Sequence, residues 1–197
     1  MKSILPVVLF LSVYFQSFAQ EKMGWIGINV GTSIMLNKQP ENPGLGANLN
    51  LINFGYEIEN GFGVACKWMG SAHIYNSKMI DLSSGATFET SNQIDYGAIL
   101  IGPMYSIRAS ETFIVDCRIQ SGLFWVEEKF KGAGFRGTYR TNSLKGLSAG
   151  VTLRHNFLKH WCLMIVADYN SGQESGMLVL GKRLQTISLN GGVGFRI

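Results

Sequence analysis

Apolar and polar residues alternate along most of this chain. In residues 25–36 the even positions carry Ile26, Ile28, Val30, Thr32, Ile34 and Leu36, and the odd ones include Gly27, Asn29, Gly31 and Ser33. Residues 62–75 set Phe62, Val64, Cys66, Trp68, Ala72 and Ile74 against Gly63, Ala65, Lys67, Met69, Ser71 and His73. Residues 113–125 and 147–157 repeat the pattern, with Asp116, Arg118 and Gln120 on one polar face and Ser148, Thr152 and Arg154 on the other. A period of two marks strands with one apolar and one polar face. No segment keeps an apolar stripe at three-and-four spacing with helix caps at its ends. Four further strands are predicted at 45–54, 94–107, 161–170 and 184–197, giving eight in all. The strand at 45–54 loses phase near Ile52 and Asn53, as a bulge would make it do. The strand at 94–107 is apolar on both faces in its middle, and Pro103 removes one ladder donor.

The connections alternate in length. EIENG, RASE and LKH are short; NSKMIDLSSGATFETSN and EEKFKGAGFRGTYRTN are long and polar. Short turns at one rim, long loops at the other and strands of ten or more residues predict an all-β fold: an eight-stranded antiparallel up-and-down transmembrane β-barrel. Its lipid face carries Phe62, Phe113, Phe157, Trp161 and Phe195 near the short turns, and Tyr96, Trp125 and Tyr169 near the long loops. Such aromatic belts suit the headgroup levels of a bilayer. The polar register carries Lys67, Asp95, Asp116, Arg118, Arg154, Asp168 and Arg196, expected to pair inside a lumen that side chains fill. A soluble sandwich or lipocalin would put its charges outside instead.

Residues 1–19 have the form of a secretory leader. Lys2 precedes an apolar run from Ile4 to Phe15, and Ser17 and Ala19 hold the minus-three and minus-one positions before Gln20. The run falls short of the roughly 20 residues that span a membrane as a helix. The barrel domain is then 20–197. Loss of Lys2 lowers the formal charge from +4 to +3, too small and dispersed for nucleic acid. The three cysteines, Cys66, Cys117 and Cys162, are odd in number and lie in apolar stretches, so they suit neither a disulfide framework nor a metal site. No cofactor is expected.

The leader, the IGPMYSI strand that runs into a short turn, and the closing NGGVGFRI together resemble the PorT-like outer-membrane β-barrel family of Bacteroidota, with OmpA/OmpX-type architecture. Asn190, Gly192, Phe195 and Ile197 are similar to the assembly signal read by the outer-membrane insertion machinery. The resemblance implies a cell outer membrane location, with membrane lipid and lipopolysaccharide as neighbours and a surface or accessory protein as a partner for the outer loops.

Ser71 and His73, adjacent on one polar face near the outer end of their strand, are the candidates for lipid A chemistry. A lumen hydrogen bond or a rim histidine is the plainer reading, since the sequence fixes neither an acid partner nor an oxyanion donor. His155 and His160 fall near the opposite rim. KGAGFRG reads as a mobile outer loop rather than a phosphate loop, because no strand-to-helix context surrounds it. Its neighbourhood carries Lys129, Lys131, Arg136, Arg140 and Lys145 against Glu127 and Glu128. The expectation is therefore a non-enzymatic structural or binding barrel with no catalytic, cofactor or metal residues. A lipid A-modifying enzyme or a small passive channel are the alternatives.

Overall fold

The computed structural model describes residues 24–36, 44–80, 85, 87–132, 135–141, 144–174 and 183–197. The leader expected at 1–19 lies outside them. The strands are β1 (Gly24–Met35), β2 (Leu45–Glu59), β3 (Phe62–Ile80), β4 (Thr87–Arg108), β5 (Phe113–Gly132), β6 (Phe135–Arg140), β7 (Leu144–Asn156), β8 (Trp161–Glu174) and β9 (Arg183–Arg196). Every pairing is antiparallel. The sheet runs β4-β3-β2-β1-β9-β8-β7-β5, and β4 pairs back onto β5 to close a ring. β6 pairs with residues 127–132 of β5, beyond the 113–124 stretch that pairs with β7. β6 and β7 are thus successive parts of one stave, and the barrel has the eight staves expected.

Closure is required because hydrocarbon offers no partner to an open strand edge. The seam is the β1–β9 ladder, from Trp25 opposite Arg196 to Met35 opposite Thr186. Both strands begin or end at the rim that carries the short turns. Of these turns, β2–β3 is the tightest: Asn60 (φ 52°) and Gly61 (φ 85°) both take the left-handed conformation. An Asn-Gly pair in that conformation makes the two-residue turn whose twist matches the flanking strands. The phase loss in β2 is a bulge. Register slips between Asn50 and Ile52, so Leu51 and Ile52 both face outward before alternation resumes.

Outward positions form the apolar belt. Ile28, Val30, Ile119, Ile165 and Leu189 are each more than half exposed. Phe62, Phe113, Phe157, Trp161 and Phe195 gird the short-turn rim as expected, and Trp125 and Tyr169 the other. A surface this apolar on a closed ring is built for lipid. Cys117 faces lipid, Cys66 is half-buried and Cys162 points inward, all as free thiols.

Three expectations require correction. Tyr96 does not belong to the outer belt: it points into the lumen, 2% exposed, and its hydroxyl meets Thr186 Oγ1 at 2.9 Å. Asp95 is correspondingly outside, where Lys129 Nζ reaches its Oδ2 at 2.8 Å. Both errors lie in the stretch that is apolar on both faces, where alternation carries no information and the cross-strand register decides. Finally, much of the two quoted polar loops is strand. β3 runs to Ile80 and β4 starts at Thr87, while β5 and β6 pair as a hairpin with Gly132 opposite Phe135. Outside the bilayer both faces of a strand meet water, so the period-two signal fades there.

Candidate functional site

The polar register of the staves converges on the lumen. Asp168 on β8 binds two cations at once: Lys67 Nζ lies 3.0 Å from Oδ2, and Arg118 Nη2 lies 2.8 Å from Oδ1. Gly150 makes room for this carboxylate, since a Cβ at that position would sit 2.0 Å from its Oδ1. Arg118 also donates to Asn53 Oδ1 and Thr152 Oγ1, and Lys67 to Ser148 Oγ and Asn170 Oδ1. Nearer the short-turn rim, Arg154 clamps Asp116 through Nε (2.5 Å) and Nη2 (2.9 Å) beneath Trp25, and Ser106 donates a third bond. Charge pairing of this kind is what lets ionised groups persist away from bulk water, although Arg118 Nε and Arg154 Nη1 find no hydrogen-bond partner among the described residues.

Two apolar clusters share the lumen with the charges. One holds Trp25, Ala65, Met104, Cys162, Met164 and Val166; the other includes Met69, Tyr96, Leu100, Phe124 and Leu184. Asn48, Asn50, Gln120 and Asn190 are buried in the same lumen, with side-chain amides that bond no protein group among the described residues. Groups of this kind hold ordered water.

Ser71 and His73 do come together, and Ser33 of β1 joins them. His73 Nδ1 lies 3.0 Å from the Gly44 carbonyl, which can only accept, so Nδ1 carries the proton and Nε2 accepts. Ser33 Oγ is 2.9 Å and Ser71 Oγ 3.1 Å from that Nε2. Ser71 donates to the Ala47 carbonyl at 2.8 Å, so the single Ser33 hydroxyl hydrogen is shared between two acceptors, His73 Nε2 and the Ser71 Oγ 2.6 Å away. Sequence reasoning did not single out Ser33. Its one signal was its place on the polar face of the first strand, and the bulge in β2 hid which β3 residues it would meet.

A serine beside an accepting imidazole is half of a nucleophile–base arrangement. Among the described residues the cluster holds no acid partner for the imidazole. A backbone carbonyl, not a carboxylate, orients the ring, while Asp95 faces outward. Tyr96 stacks on His73 at 5.9 Å, and Ser33, Ser71 and His73 are 1%, 7% and 2% exposed. The trio faces the lumen interior, away from the lipid that an acyl-modifying site would have to reach. His155 and His160 stack on Phe113 and Phe195 at the short-turn rim, as expected.

Beyond Trp125 the outward face of β4–β6 carries most of the cations noted in the sequence. Lys129 pairs with Asp95 and Glu127, and Arg140 also pairs with Glu127. The Arg140 guanidinium and the Lys129 ammonium hold the Glu127 carboxyl below its ordinary range, and Asp95 and Glu127 raise the Lys129 ammonium. Lys131 and Arg136 are direct cross-strand partners, both exposed, and neither is in an ion pair among the described residues.

No family model matches the chain, and no curated protein does either. Solved structures do. Ail, the attachment invasion locus protein of Yersinia pestis, in complex with the heparin analogue sucrose octasulfate, aligns at TM-score 0.53 and 18% identity, covering 90% of this chain and 100% of Ail. A major outer membrane protein of Thermus thermophilus aligns at 0.58 and 12%, over 90% of this chain and 100% of that one. The outer membrane protease OmpT of Escherichia coli aligns at 0.50 and 9%, over 92% of this chain and 98% of that one. At these identities the likeness shows the fold. Together with the apolar belt, it makes this chain an integral barrel of the outer membrane.

Proposed function

We propose that the protein is a non-catalytic binding barrel, which holds a strand platform outside the membrane for a surface or accessory partner. The observation that carries this reading is the inequality of the staves. Among the described residues β3, β4, β5 and the β6–β7 stave have 19, 22, 20 and 19 strand residues (6 in β6 and 13 in β7), whereas β1, β2, β8 and β9 have 12 to 15. A bilayer needs only about 9–11 residues per strand. The surplus builds a β3–β6 wall that stands clear of the lipid and ends in the Lys131 and Arg136 pair. Ail's sucrose octasulfate complex offers a precedent on this fold for an anionic saccharide ligand. The PorT-like kinship belongs to the same proposal, as do lipopolysaccharide contact and recognition of Phe195 and Ile197 by the insertion machinery.

The rival is an enzyme built on Ser33, Ser71 and His73. Lipid A and a mixed peptide substrate from cells with and without the protein, compared by mass spectrometry, separate the two readings. The expected result is identical profiles. A product that depends on the protein and disappears with His73→Ala would overturn the non-catalytic reading.

A further inference from the structure

The lipid-facing wall of β2–β5 contains a groove that the lumen chemistry does not involve. Its floor is made of small residues, Ala47, Gly70, Ala72 and Gly97, and its sides are Leu49, Trp68 and Trp125. The floor row runs Leu49–Gly70–Gly97–Trp125 across four staves. Trp125 lies over Gly97, where a Cβ would come within 2.4 Å of the indole ring. Gly70 is open: a Cβ there would meet only the Tyr96 carbonyl, at 4.0 Å. The result is a recess in the lipid-facing wall at the height of the outer aromatic belt.

Along the same face Lys129, held by Asp95 and Glu127, closes the upper end of the groove with Thr138 as its cross-strand partner, and above it Lys131 stands between Ser91 on β4 and Arg136 on β6. Cross-strand partners have Cβ atoms about 5 Å apart, and like charges so placed repel. Glu89, the next outward acid on β4, forms no ion pair with either cation among the described residues. An anion seated between Lys131 and Arg136 relieves that repulsion and gains charge-assisted hydrogen bonds.

The height of these cations selects the ligand. Lys131 lies six residues beyond Trp125, about 20 Å along a strand rising 3.3–3.4 Å per residue. At a strand tilt of 35–45° this is roughly 15 Å above the belt. Aromatic belts mark the headgroup level, so a phospholipid phosphate would sit near Trp125 and below the pair. A phosphate borne on sugars above the membrane reaches it.

We propose that this wall binds a phosphorylated glycolipid of the outer leaflet. An acyl chain crosses Gly70 between Trp68 and Trp125, the sugars lie along Ser91 and Thr138, and a sugar phosphate sits between Lys131 and Arg136. The inference rests on the lipopolysaccharide contact included in the proposed function and says where it occurs; its failure would leave the non-catalytic reading, which the lipid A profile tests, standing.

The test is competitive retention on the folded barrel in detergent. The protein is mixed with equal amounts of lipopolysaccharide phosphorylated on lipid A and core sugars, the same glycolipid after phosphatase treatment, and phosphatidylglycerol. Native mass spectrometry then counts bound lipid. The wild type should retain the phosphorylated glycolipid about tenfold over the other two, as a pair of charge-assisted contacts would give. Lys131→Gln with Arg136→Gln should reduce it to the level of the dephosphorylated form. Gly70→Leu, which fills the groove with no change in charge, should reduce both glycolipids. Heat-dependent gel mobility reports whether each variant is folded. Equal retention of phosphatidylglycerol by the wild type would mean ordinary boundary lipid and overturn the proposal, whether or not the variants fold. Retention unchanged in the folded double variant would overturn it as well.

Discussion

Asp168 is the residue on which the lumen most depends, because a single carboxylate serves Lys67 from β3 and Arg118 from β5. Asp168→Leu leaves two buried cations facing each other, and removal of one partner from a buried pair costs about 3–5 kcal/mol. Denaturant unfolding in lipid vesicles should show a loss of that size, with Lys67→Met in the same background recovering part of it. A loss no larger than that of an exposed pair, about 0–1 kcal/mol, would mean the network is not formed. The lipid face gives a second residue-scale test. Val151 is outward at mid-stave and Leu158 outward at the short-turn rim. Val151→Arg should cost about 2–4 kcal/mol and Leu158→Arg about 0–1. Equal costs would show that the assigned depths are wrong. The faces of Lys67, Asp116, Arg118, Arg154 and Asp168 were legible in the sequence, since each lies in a strand with one clean apolar register. Tyr96 and Asp95 were not, because their strand offers two apolar faces and only its neighbours choose between them.

At the scale of elements, the eight staves, the β2 bulge and the three short turns followed from alternation and turn chemistry. The outer lengths of β3–β6 did not, because beyond the hydrocarbon both faces are solvated and a Gly-rich stretch such as KGAGFRG reads as a loop in the sequence. The Ser33 contact was hidden for a different reason: it spans two ladders, one of them bulged. The closing seam is the element most open to test. Phe195 packs edge-on against Trp161, with ring centroids 5.5 Å apart, and stacks on His160, with β9 joined to β1 through Arg196. Phe195→Asp places a charge in that aromatic corner at the rim where the ring must close. The expected outcome is loss of the heat-modifiable form and accumulation of protease-sensitive protein. Wild-type amounts of folded barrel would contradict the role assigned to the seam.

The whole molecule is a closed antiparallel ring with its apolar surface outward and its charges paired within. That inversion of a soluble barrel places it in the outer membrane and also confines what it can do there. The one serine–imidazole cluster among the described residues faces inward and is stacked under Tyr96. Salt bridges and two apolar clusters occupy the lumen, and in the function proposed above the strand wall beyond Trp125 is the surface for binding. Planar-bilayer recording of the purified, folded protein tests this account most directly. It should give no steady conductance above the bare membrane. Stable, ohmic openings of porin size would contradict the filled lumen and make the protein a diffusion channel.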